Sequence, residues 1–391
     1  MVNDEKKKLL IVSQFYIPDI TAAAYRIYDM YEAAKDMYEI DILTSYPHKS
    51  NVEVKNYENN IYRVKISNKS KNRLFRYLNE YFGFMLKSII ISWKLKKRYD
   101  YVFVTSPPIF ALVSGYLIAK IKKSKLFVDI RDIWPNVLID DGTLVHSSII
   151  YKILKKFEVY IYIKADEITC VSKYMKEYIH ELSGKEAYVI YNGVSQTKKN
   201  SNNVKRNRDG KLNVFYTGNI GYYQHLDVLI SCFQKYDCLS EMFNVHIIGD
   251  GTKLNEFKKA ITENGVSSMK FYGPISKEET IKLTSKNADI LFLNLHNSDT
   301  LEKTIPSKLF DYLYFNLPLV YGVMGEGREI IEELGCGQFF KWDNEESLYN
   351  ALIIIYDDYE GFLQNSKNNM NFVCNKFNRK EMFYKYCSNF K

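Results

Sequence analysis

The 391 residues are 46% hydrophobic and 26% charged, which excludes a disordered or collagen-like chain and leaves room for two domains with separate cores. The formal net charge is +8, and the six cysteines form no CxxC pair, so neither a disulfide framework nor a zinc site is expected. Buried free thiols in a reducing cytoplasm fit that spacing.

The chain begins Met1, Val2, Asn3, Asp4, Glu5 and runs through three lysines into a short apolar strand at 9–13. That apolar core is too short for a signal peptide and has no small-residue cleavage site behind it. Further strands are predicted at 40–44, 62–66, 101–105, 125–130, 167–170 and 188–190, with helical periodicity at 22–34, 73–97, 109–121, 147–164 and 172–182. This alternation predicts a mostly parallel sheet with helices on both faces. The excess charge sits in one place. Residues 68–98 hold nine bases and a single acid, Glu80, around an apolar, aromatic middle that includes Phe82, Leu86, Ile90 and Trp93. The stretch is too short and too charged to span a bilayer, which needs roughly 20 apolar residues. It fits a helix lying in the headgroup plane on anionic lipid, or an amphipathic core helix with solvated lysines. Nucleic-acid binding fits less well, because the bases flank the apolar middle instead of forming one stripe.

Polar, basic, turn-forming residues then predict an interdomain linker at 196–211. Alternation restarts with strands at 213–217, 243–249, 269–272, 289–295, 317–321 and 338–340, and the tail from 347 reads as helical. The expected architecture is α/β, two Rossmann-like doubly wound domains facing across a cleft, with ligands outside the strand C-terminal ends. The domains are expected at 1–195, with the basic segment 68–98, and at 212–375, with a C-terminal helix, 376–391, returning to the first.

Turn motifs fall at those strand ends. Gly218, Asn219 and Gly221 follow the first strand of the second domain, Gly249, Asp250 and Gly251 the next, and Gly273 with Pro274 the third. Glycine there lets backbone approach a ligand, though each is also an ordinary tight turn. After the fourth strand come Lys303, Thr304, Ile305, Pro306, Ser307, Lys308 and Asp311. Pro306 discourages helix at Ile305, and Ser307 is placed to cap a helix whose first-turn amides and Lys308 form an anion site. Asp311 shares that helix face and offers a carboxylate to sugar hydroxyls. A capped helix with a surface Lys–Asp pair is the plainer reading.

In this order, with Asp129, Ile130, Arg131, Asp132, Ile133, Trp134 and Pro135 after the fifth predicted strand, the chain resembles the family-4 retaining glycosyltransferases of GT-B architecture. It looks most like the bacterial branch that adds an N-acetylated amino sugar of the L-fucosamine type in O-antigen or capsule assembly. The resemblance implies a nucleotide-sugar donor, UDP-linked, on the second domain, with Asp311 on the ribose. It implies no metal and no other cofactor. Where the wider family has an Arg and a Lys for the diphosphate, this chain has the neutral Asn219 and Gln224; Lys303 stands where the family has a first Glu. Compensating charge for a diphosphate then falls to Lys308, helped by Lys303 or Arg328. Thr21, Ala22, Arg26 and Trp134 are expected on the acceptor side, with Arg26 aiming a charge at the cleft. Asp132 is either a base beside Arg131 or part of a structural Arg131–Asp132 network. The implied acceptor is a polyprenyl-diphosphate-linked saccharide, reached from the cytoplasm at the inner face of the plasma membrane. The architecture equally admits a sugar-nucleotide 2-epimerase, and the missing Arg and Lys admit an inactive assembly partner.

Overall fold

The computed structural model describes residues 6–47, 57–58, 60–66, 73–140, 142–194, 210–263 and 266–390. Residues 196–209 of the expected linker and 68–72 of the basic segment lie outside these. The chain forms two units: Met1–Ser195 with Asn378–Lys391, and Gln196–Phe377.

The strands of the first unit are β1 (Lys8–Val12), β2 (Glu39–Ser45), β3 (Tyr57–Glu58), β4 (Ile61–Val64), β5 (Tyr101–Ser106), β6 (Lys125–Ile130), β7 (Glu167–Cys170) and β8 (Ala187–Val189). They form one sheet in the order β3-β4-β2-β1-β5-β6-β7-β8, parallel except for the β3–β4 pair. The two-residue β3 carries no periodic signal, so alternation could not announce it. Most strand residues are buried, as continuous apolar runs covered by helices on both faces require. The order reverses between β1 and β5, which makes their C-terminal ends the switch point of this sheet. The basic helix spans Arg73–Lys94, shorter than its periodicity suggests. Lys122 Nζ takes the carbonyls of Leu95 and Lys97, and Lys97 turns to Asp41 at 3.0 Å, so the chain beyond Lys94 is held in another path. The C-terminal helix Arg379–Cys387 packs on the helix Ala22–Ala34, and Arg379 pairs with Asp29 at 2.5 Å.

The second unit's strands are β9 (Leu212–Asn219), β10 (Phe243–Asp250), β11 (Met269–Gly273), β12 (Ile290–Asn294), β13 (Leu319–Gly322) and β14 (Gly337–Phe339). All neighbours are parallel, in the order β11-β10-β9-β12-β13-β14. The chain steps from β9 outward to β11, then crosses to β12 on the other side. The switch point is therefore between β9 and β12.

Candidate functional site

The end of β9 gathers several of the turn motifs. Gly218 pairs in register with Gly249 of β10, and Asn219 with Asp250. A Cβ on Gly249 would lie 1.8 Å from the Gly218 carbonyl oxygen, and one on Gly251 would lie 2.1 Å from that of Ile220. These two glycines thus have a packing reason of their own: they let two strand ends close together. Asp250 accepts the Ile220 amide through its backbone carbonyl at 2.8 Å, while its carboxylate takes the Gly251 amide at 2.8 Å. Gln224 Oε1 accepts from Asn219 Nδ2 at 3.0 Å and from the Gly221 amide at 3.1 Å, forming a neutral clasp over the turn. Gly273, with φ of 76°, and the exposed Pro274 end β11, two strands away from β9.

The helix Ser307–Tyr314 starts after β12, on the other side of the switch point. Its N-cap is Pro306, not Ser307, and no side chain caps it, which corrects the expected role of Ser307. Proline fixes φ in the extended range that a helix entry needs, so the serine falls inside the first turn. The Leu309 amide turns to the Pro306 carbonyl at 2.9 Å, and the uncapped start leaves the Ser307 and Lys308 amides and the positive dipole end for another partner. Lys308, half-buried, reaches back to β9: its Nζ donates to the Tyr216 hydroxyl at 2.6 Å and lies 4.0 Å from that ring's centroid. A Cβ on Gly218, whose φ is 129°, would lie 2.6 Å from Lys308 Cε and 2.7 Å from Nζ. Glycine at 218 is what gives this lysine its space. Burial pulls the Lys308 ammonium down to about 7, with Asp311 pushing it back up. Asp311 is exposed on the same helix. Tyr312 accepts the Thr217 amide at 2.8 Å and so pins the helix to β9.

Other expected helpers are engaged elsewhere. Lys303 Nζ donates to the Asp299 carbonyl at 2.8 Å, and Arg328 pairs with Glu332 at 2.7 Å over the Phe339 ring. Thr304 is buried with its hydroxyl on the Leu301 carbonyl, and Ile305 is buried in the core. Tyr216 and Tyr312 were not singled out by the sequence. Their only sequence signal is a tyrosine at a strand end and another one helical turn past Lys308, and neither gives a distance.

In the first unit Arg26 is wholly buried, which overturns its expected aim at a cleft. Its Nε and Nη2 grip the Asp129 carboxylate at 3.0 and 2.7 Å, while Nη1 donates to the carbonyls of Ile190 and Tyr191. Thr105 and Thr169 also donate to Asp129, at 2.9 and 2.7 Å. Burial alone would raise this carboxyl; Arg26 outweighs it and holds the pKa below the ordinary value. Thr21 caps the helix Ala22–Ala34 by accepting from the Ala24 amide at 3.1 Å, and Ala22 is exposed at its start. Arg131 gives its Nε to the Ser106 carbonyl at 2.8 Å, at the end of β5. Its neighbour Asp132 is half-buried; burial raises its carboxyl above the ordinary value and the Arg131 charge opposes this. Trp134 meets the Tyr81 ring edge-on at 6.4 Å.

Two family models cover nearly all of this. The model "Glycosyltransferase Family 4" matches residues 23–198, and "Glycosyl transferases group 1" matches 197–371. The chain therefore belongs to the group 1, family 4 glycosyltransferases and is an enzyme of that class, with the GT-B fold. It is 24% identical over 287 residues to "Probable glycosyltransferase WbjE" of Pseudomonas aeruginosa, covering 70% of each chain. Among solved structures it is similar to Anabaena Alr3699/HepE in complex with UDP and glucose, at TM-score 0.70 and 14% identity over 98% of both chains. It is also similar to WaaG, a glycosyltransferase involved in lipopolysaccharide biosynthesis, at TM-score 0.68 and 11% identity over 97% of this chain and 98% of that one.

Proposed function

We propose that the protein transfers an N-acetylated amino sugar, with retained anomeric configuration, from a UDP-sugar to a lipid-linked saccharide in capsule or O-antigen assembly. The observation that carries the donor half is Lys308 beside Gly218 at an uncapped helix start, on the switch point of the second sheet. A diphosphate needs donors and positive charge in one place, and this is where the unit supplies both. Asp311 then serves the ribose. On this reading Lys308 and the first-turn amides stabilise the leaving diphosphate, ordinarily the largest catalytic contribution. The departing phosphate, or Asp132 with its raised pKa, takes the acceptor proton. The solved relative that holds UDP and glucose supports a UDP-linked donor.

The acceptor half rests on the first unit's surface. Phe82, Leu86, Ile90 and Trp93 are exposed at helical spacing along Arg73–Lys94. Leu117 and Ile121 on Ile109–Lys122, and Ile149, Ile150, Ile153 and Ile163 on Ile149–Lys164, are exposed as well. Phe82 packs on Phe110 and Tyr116 on Tyr160, so the three helices are neighbours. No described helix is long and apolar enough to cross a membrane. An apolar face with interspersed lysines fits a peripheral anchor on anionic lipid, where a polyprenyl-linked acceptor would be met.

A nucleotide screen by thermal shift tests the donor half. UDP and UDP-N-acetylhexosamines are expected to raise the melting temperature, and Lys308→Ala to abolish the shift. Transfer to a lipid-linked acceptor should persist in EDTA, since the charge comes from the protein. Epimer formation from UDP-GlcNAc without acceptor would instead show an isomerase.

A further inference from the structure

Tyr216 is wholly buried at the end of β9, and its hydroxyl has two partners. It donates to the Asn219 carbonyl at 2.5 Å and accepts from Lys308 Nζ at 2.6 Å. With its proton committed to Asn219, the phenol oxygen presents lone pairs to the lysine, so Lys308 is held as a donor. The ring beneath adds an attraction for a cation. This partner is neutral. A carboxylate in the same place would hold the lysine equally well but cancel the charge that a diphosphate needs. The same hydroxyl ties the lysine to the carbonyl of Asn219, whose side chain belongs to the Gln224 clasp.

We propose that Tyr216 is the positioning residue of the donor site: it fixes Lys308 over Gly218 without neutralising it, leaving the remaining ammonium protons for the donor's diphosphate. This rests on the donor-site reading given above. Among the described residues, the titratable groups facing Lys308 are Tyr216 from β9 and Asp311 from its own helix. Tyr312 on that helix is turned to Thr217. A hydrogen bond that favours the ammonium raises its pKa, so losing the hydroxyl lowers it. Donor binding needs the protonated lysine, and affinity therefore falls as pH rises through the Lys308 titration.

The test is Tyr216→Phe in the full chain, with UDP titrations from pH 5.5 to 9 and an NMR titration of the Lys308 ε-methylene in both proteins. In the wild type, UDP affinity should begin to fall near pH 7. In Tyr216→Phe the onset should move down by at least half a pH unit, kcat should drop about tenfold to a hundredfold, and affinity at pH 5.5 should stay within about threefold. An unchanged Lys308 titration in Tyr216→Phe overturns the proposal, whether or not UDP binds. A shifted titration with unchanged UDP affinity and kcat also overturns it, leaving only a structural clasp. A wild-type chain that binds no UDP overturns the donor reading itself, and the NMR titration tells that failure apart. Should the variant fold poorly, the wild type still decides: Tyr216 Cζ must titrate with the Lys308 midpoint, and a flat Cζ shift rejects the contact.

Discussion

Two charges in this protein, the buried Asp129 and the half-buried Lys308, are handled in opposite ways. Asp129 is matched by a bidentate guanidinium and two threonine hydroxyls, so its charge is spent inside the first unit. Lys308 is given a phenol and a gap beside a glycine, so its charge stays available. The gap is a testable part of the design. Gly218→Ala would place a methyl within 2.7 Å of the ammonium at a φ of 129° that alanine rarely adopts. We expect a loss of about 1–3 kcal/mol in denaturant unfolding from the backbone strain, and UDP affinity lowered at least tenfold as the lysine is displaced. Retained affinity would show that Lys308 is not at the diphosphate. The sequence made Lys308 a candidate because its helix signals are local. It could not expose the partner, because Tyr216 lies 92 positions away, nor the fate of Arg26, which is set by an aspartate 103 positions on.

At the scale of elements, periodicity was a good guide wherever an element was long. The helix Ala22–Ala34 and the strands Lys125–Ile130 and Glu167–Cys170 fall on their predicted bounds, and the other predicted strands shift by a residue or two at one end or both. Terminations decided by tertiary contacts were not legible: the basic helix stops at Lys94 because Lys122 and Asp41 take the groups beyond it. That helix also shows why composition alone misleads about a surface. Its bases mark it in the sequence, yet exposed apolar residues also stand on the two neighbouring helices Ile109–Lys122 and Ile149–Lys164, which carry lysines of their own. Trp93, 70% exposed, and Ile90, 51% exposed, contribute little to the core. The double change Ile90→Glu with Trp93→Ala should alter stability by less than about 0.5 kcal/mol. It should cut co-sedimentation with phosphatidylglycerol vesicles about tenfold or more. Equal sedimentation of variant and wild type would remove this face from the acceptor account.

For the whole molecule, the βα alternation read from the sequence gives two parallel sheets, and each sheet's switch point follows from its strand order. What alternation could not give is the contact that closes the first unit. Val194 forms a parallel bridge with Asn378, and the Arg379 amide donates to the Val194 carbonyl at 3.1 Å. Phe390 packs on Tyr38, Tyr101 and Phe127, and Tyr38 donates to the Cys387 carbonyl at 2.8 Å. The chain thus departs from the first unit and rejoins it at one spot. In topological terms the second unit is an insertion, entered and left between neighbouring residues of the first. A variant with 196–377 excised and the ends joined through a few Gly and Ser residues should fold cooperatively, with α/β circular dichroism and no affinity for UDP. A chain that merely stops at 195 should not, because it leaves Tyr38, Tyr101 and Phe127 without the C-terminal segment that covers them. Residues 378–391, remote in sequence from the first strand, are in that sense the closing piece of the first unit.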